Sequence, residues 1–135
     1  MICKQLKIPL AGIVSRNEPY PECKNKLLVI NLDSIEGAGT HWVGLIEFDS
    51  HYEYCDSYGF DAPEEVIQYI GDKVMLYQNE QLQSINSKKC GWFVLYWAWL
   101  RLVQGNSPAI VFKRHINEMT VKRFKRSINR SLKIR

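Results

Sequence analysis

The chain has 135 residues, 46% of them hydrophobic and 24% charged, an ordinary globular composition that excludes a disordered polymer and suits one compact domain over 1–135. Its longest apolar stretch, Gly91 to Val103, is broken by Arg101 and falls short of the ~20 residues a bilayer span needs. The formal charge of +4 is unevenly spread: residues 113–135 carry nine Lys and Arg against the single acid Glu118, while the rest carries nine bases against thirteen acids. The N-terminal "MICKQLKIPLAGIVSRNEPY" has no sustained apolar core of the kind a signal peptide shows, so a soluble, non-secreted protein is expected.

In chain order, the first 26 residues are mixed, with turn signals at "RNEPYPECKN". "LLVINLD" (27–33) reads as a buried strand, "SIEGAGT" as a loop, "HWVGLIEF" (41–48) as a second strand and "YEYCDS" (52–57) as a third, together an antiparallel meander. If the last two pair about a turn at 49–51, partner numbers sum to near 100, so that residue 44 faces residue 56. His41 and Asp56 then lie at the same end of the sheet, in reach of a hydrogen bond. A helix starts around Pro63, with Glu64 and Glu65 where its dipole favours acids. "KVMLY" and "LQSI" read as short strands. From Cys90 to Gln104 apolar residues occupy every face, as in a central buried helix stopped by Gly105-Asn106. Over about 117–133, Val121, Phe124, Ile128 and Leu132 fall at helical spacing with bases between them, an amphipathic basic helix. The class is α+β, with a mostly antiparallel sheet packed against a buried, cysteine-bearing helix.

Four scattered cysteines (Cys3, Cys23, Cys55 and Cys90) form no CxxC pair, resemble no zinc site and are too few for a disulfide scaffold, which leaves reduced thiols as the simplest reading. Cys90 stands apart because it opens the buried helix. There the unpaired N–H groups and the positive helix end favour a thiolate, and Lys88 and Lys89 add to that potential. A nucleophilic thiolate also needs a base, a group to orient the base and donors for the oxyanion. His41 suits the base, Asp56 the orienting acid, and Gln83, with the Cys90 backbone N–H, the oxyanion donors. His51 and His115 read as solvated surface residues.

"GTHWV", "YCDSYGF" and "QSINSKKCG" together resemble the adenovirus-type (adenain-like) processing cysteine proteases and their kin in the ubiquitin-like protease clan. Those enzymes carry His, Asp or Glu, Gln and Cys in this order, with Trp after the His and the Gln seven residues before a Cys-Gly. His41-Trp42, Asp56 with Gly59-Phe60, Gln83 and Cys90-Gly91 match that pattern over about residues 12–104. The resemblance implies a papain-like protease fold and peptide-bond hydrolysis by a catalytic set of His41, Asp56, Gln83 and Cys90. It also implies a viral, virophage or mobile-element origin and capsid or core precursors as substrates, often cut next to Gly-Gly. Gly39, Trp42 and Gly91 would then border the substrate. No metal or other cofactor is implied, though viral relatives are stimulated by DNA or a virion-derived peptide. The expected setting is a monomer in the virion and the infected cell interior, without membrane attachment. Lys122, Arg123, Lys125 and Arg126 are the candidates for non-specific nucleic-acid contact. The competing readings are a deconjugating isopeptidase for a ubiquitin-like modifier and a non-catalytic nucleic-acid-binding module.

Overall fold

The computed structural model describes residues 2–32, 41–77, 90–107 and 116–134, and of 131–134 the backbone alone. The apolar runs in the first half become three adjacent strands, β2 (Leu27–Asn31), β3 (Trp42–Glu47) and β4 (Tyr52–Cys55). They form the expected antiparallel meander. Its register differs from the expected one: Gly44 faces Cys55, not residue 56. The cause is the turn. The Phe48 N–H donates to the His51 carbonyl at 2.7 Å, so only Asp49 and Ser50 form the loop, and the ladder is one residue tighter than a turn spanning 49–51 would make it.

Among the described residues two further strands extend this into a sheet ordered β1-β2-β3-β4-β5, and both join it in parallel: β1 (Leu10–Ser15) beside β2, and β5 (Met75–Tyr77), within "KVMLY", beside β4. Antiparallel pairing therefore holds for the three central strands and gives way at both edges. The first 26 residues, read from sequence only as mixed with turn signals, hold β1 and a short helix α1 (Ile2–Leu6). "LAGIVS" hides as a sequence because it is an edge strand with no fully buried position, and so carries no clean alternation. The expected "LQSI" strand lies outside the described residues.

The period-two alternation of the central strands splits the core in two. Leu28, Ile30, Val43, Leu45, Tyr52 and Tyr54 face one side, where Val66 and Ile70 of α2 (Glu64–Ile70) cover them. Pro63 caps α2 rather than occupying its first turn. Leu27, Ile46 and Cys55 face the other side, against Phe93, Val94 and Trp97 of α3 (Cys90–Ala98). This helix continues as a π-helical turn, Trp99–Val103, to the predicted end at Gln104. Arg101 in that turn makes a bidentate pair with Glu53 of β4, at 2.7 and 2.6 Å, and Glu53 is wholly buried. His51, expected at the solvated surface, instead meets the same carboxylate at 2.8 Å and is only 17% exposed. Its place beside the tight turn, stacked near Phe48, folds it inward.

The seat of α3 on the sheet is Gly44. A Cβ there would lie 2.7 Å from Trp97 and 2.8 Å from Val94, both buried side chains of the helix. We expect Gly44→Val to push the helix off β3 and destabilise the fold by about 1–3 kcal/mol, lowering Tm by roughly 3–12 °C. Circular dichroism melting checks this, and an unchanged Tm would mean that α3 does not rest on that strand.

Helix α4 (Glu118–Ile134) starts at a reciprocal cap, in which the Thr120 N–H donates to Asn117 Oδ1 and the Asn117 N–H to Thr120 Oγ1, at 2.9 and 3.0 Å. Val121 and Phe124 are buried, and Phe124 packs among Trp92, Tyr96 and Trp99 of the preceding helix. Among the described residues no helix is long and apolar enough to cross a membrane.

Candidate active site

The site forms where the start of a strand meets the start of a helix. The close seat at Gly44 holds the first turn of α3 against the head of β3, and there the backbone N–H of Trp42 donates to Cys90 Sγ at 3.4 Å. His41 immediately precedes β3, and Asp56 immediately follows its antiparallel neighbour β4, so the meander returns the acid to the base. His41 Nε2 lies 3.0 Å from Asp56 Oδ1. The carboxylate is wholly buried and the imidazole only 14% exposed, which shields their interaction from solvent. A carboxylate oxygen only accepts, so Nε2 carries a proton and Nδ1 is left to exchange one with the thiol. Nδ1 is buried without a fully formed hydrogen bond among the described residues, yet the imidazole and the thiol each shift the other's pKa. Loose geometry of this kind is common between a thiol and an imidazole in sites without substrate.

The electrostatics favour the ion pair. Burial works against a charge on His41, but hydrogen bonding to Asp56 and the partnership with Cys90 outweigh it and raise the pKa to about 9. Burial likewise disfavours the Cys90 thiolate, but His41 and the Trp42 and Gly91 N–H groups prevail and bring the thiol below its ordinary value. The other three cysteines go the opposite way: burial raises Cys3, Cys23 and Cys55, all free thiols in the core. Only at the helix start does a donor set offset desolvation.

Gly91 faces open space, with nothing within 4 Å of where a Cβ would sit. Together with Trp42 and Trp92 it lines a cavity of about 480 Å³ whose other walls, among them Leu10, Val29 and Leu95, are apolar. Gln83 and Gly39 lie outside the described residues, as do Lys88, Lys89 and His115. Asp61, the next acid along the chain from Asp56, is exposed. Among the described residues no group of three or more His, Cys, Asp or Glu is placed to hold a metal ion. Two features escaped the sequence reading. One is the Trp42 N–H on the sulfur, which no side-chain pattern announces. The other is Tyr58, inside the quoted "YCDSYGF", whose ring lies 4.5 Å from that of His41.

A scan against protein-family models finds no match, and neither does a search of curated proteins. Among solved structures, the chain is similar to two crystal structures of the ASFV pS273R protease, one of them with selenomethionine. The identities are 22% and 23%, the TM-score is 0.56 for both, and 73% of this chain is covered. The match takes in 42% and 40% of the neighbour's chain, so this protein spans about two fifths of the aligned protease's length. The shared feature is the fold: a mixed α+β structure of the papain-like protease type.

Proposed function

We propose that this chain is a cysteine endopeptidase. The observation that carries the proposal is the convergence of Cys90, at the start of a buried helix, with an imidazole held by a buried carboxylate. The likeness in fold to a structure titled as a protease supports it. In the proposed reaction the Cys90 thiolate attacks the scissile carbonyl. The oxyanion is met by the Cys90 backbone N–H and, by resemblance, by Gln83. His41 gives its Nδ1 proton to the leaving amine as the peptide bond breaks, forming a thioester. It then takes a proton from the water that hydrolyses that thioester, and Cys90 leaves as the thiolate, which restores the starting ion pair. Asp56 keeps the ring in the required tautomer throughout. The open side of Gly91 leaves room for an extended substrate, and the adjoining cavity takes apolar side chains near the cut.

The finer reading is maturation of capsid or core precursors in a virus or related mobile element, with the chain acting as a monomer. The order of His41, Asp56, Gln83 and Cys90 and their spacings support it. The test is cleavage of a Gly-Gly capsid-precursor peptide beside a ubiquitin-like precursor. Turnover of the first alone is the expected result; turnover of the second alone would make the protein a deconjugating enzyme, and turnover of neither would leave only the fold.

The proposed nucleic-acid contact of α4 is supported by its exposed face. Lys122, Arg123 and Arg126 point to solvent, whereas Lys125 is half-buried with its Nζ 5.6 Å from the Trp92 ring centre. Of the four candidates, the first three are therefore the ones best exposed for contact with phosphate. Replacing them with Gln is expected to weaken non-specific DNA binding and reduce the slope of log affinity against log salt by about 3, roughly one unit per lost phosphate contact, with short-peptide cleavage unchanged. DNA binding that ignores both salt and these substitutions would exclude the role.

A further inference from the structure

The turn after β4 does more than end a strand. Asp56, Ser57, Tyr58 and Gly59 form a tight turn closed by the Gly59 N–H on the Asp56 carbonyl at 2.9 Å, with Gly59 at φ 76°, where a side chain would be strained. Within it the Tyr58 N–H donates to Asp56 Oδ1 at 2.8 Å, the same oxygen that receives His41 Nε2 at 3.0 Å. The Tyr58 side chain then turns back over the base: its ring centre lies 4.5 Å from that of the imidazole, the planes inclined by 31°. Tyr58 is half-buried, and the next aromatic outward, Phe60, is exposed with its ring 6.0 Å away. Tyr58 thus lies against the His41–Asp56 pair from the outer side, touching one member through its backbone and the other through its ring.

We propose that Tyr58 is a positioning residue for the catalytic base: its N–H fixes the carboxylate oxygen that the imidazole binds, and its ring shields the imidazole from water and favours the protonated form. The inference rests on the cysteine-protease reading. The face of an aromatic ring is electron-rich, so a cation against it is stabilised most where water is excluded. A neutral imidazole gains far less from the same contact. The ring therefore biases the His41–Cys90 pair toward imidazolium and thiolate, in the same direction as Asp56. The ionisable groups acting on His41 among the described residues are Asp56 and Cys90, both already credited with their share. The N–H on Oδ1 has a separate effect. It holds the carboxylate in one rotamer, so the ring it orients cannot swing away from the thiol.

The test is the pH dependence of Cys90 alkylation by iodoacetamide in the full chain, read with the His41 ring titration by NMR and with peptide cleavage. Tyr58→Phe keeps the ring and the N–H; Tyr58→Leu and Tyr58→Gln keep the N–H alone. Because residue 58 sits half-exposed in a turn, these variants should melt close to the parent. We expect Tyr58→Phe to match the parent. In the Leu and Gln variants the alkylation inflection should rise and the His41 titration should fall, each by about 0.5–1.5 pH units. Cleavage should lose kcat with little change in KM. Parent-like profiles in both variants, or a loss confined to KM, would overturn the role of the Tyr58 ring while leaving the protease reading intact. A parent protein whose Cys90 reacts as an ordinary thiol would instead overturn that reading.

Discussion

Cys90→Ala is expected to abolish cleavage, with a loss of roughly 10⁶-fold in kcat, while the protein melts as before. Removal of the sulfur leaves no group able to form the thioester. The methyl that remains sits at a position only 3% exposed, and the helix start needs no thiol for its packing. The same thiol should dominate chemical labelling near neutral pH. Cys90 is held below its ordinary pKa by His41 and two backbone N–H groups, whereas burial raises Cys3, Cys23 and Cys55. Mass spectrometry after brief alkylation should therefore find one modified peptide. Labelling spread evenly over four cysteines, or cleavage by the alanine variant, would sink the assignment.

His41→Ala should cost almost as much and should not add to the first loss, because nucleophile and base act as one unit. Asp56→Asn should be milder, on the order of 10⁴ or less, since an amide can still meet Nε2 but no longer favours the imidazolium. The pH profile follows from the pair as a whole. In the proposed mechanism activity needs thiolate and imidazolium together. It should rise as Cys90 ionises, below the ordinary thiol range, and fall as His41 loses its proton near 9. The sign for stability is separate: a His41 pKa raised above its unfolded value contributes stability that is full below about 6.5 and lost as pH passes 9. Asp56→Asn should bring the alkaline limb of activity down toward neutrality. An unmoved limb in that variant would mean that some other group holds the imidazole.

Much of this protein was legible in its residues because the relevant signals are local. Short, nearly continuous apolar runs along "LLVIN" and "HWVGLIEF" mark strands with two covered faces. An all-apolar run from Cys90 marks a helix with no solvent side, and the spacing of Val121 and Phe124 marks the buried stripe of α4. His41, Asp56 and Cys90 could be singled out because base, acid and helix-opening thiol are uncommon side chains at informative places. What the tertiary structure alone decided are relations between distant segments. The two parallel edge pairings join β1 to β2 and β4 to β5, and parallel partners share no turn through which sequence could betray them. The hairpin register depended on one hydrogen bond, Phe48 to His51, that made the loop two residues long. His51 and Arg101 lie far apart in sequence and meet only because Glu53 is buried between them. The close approach at Gly44 sets how near helix and sheet can lie, and with it whether the Trp42 N–H reaches Cys90. Side-chain chemistry named the candidate groups; backbone geometry, which side-chain patterns do not carry, brought them within reach of one another.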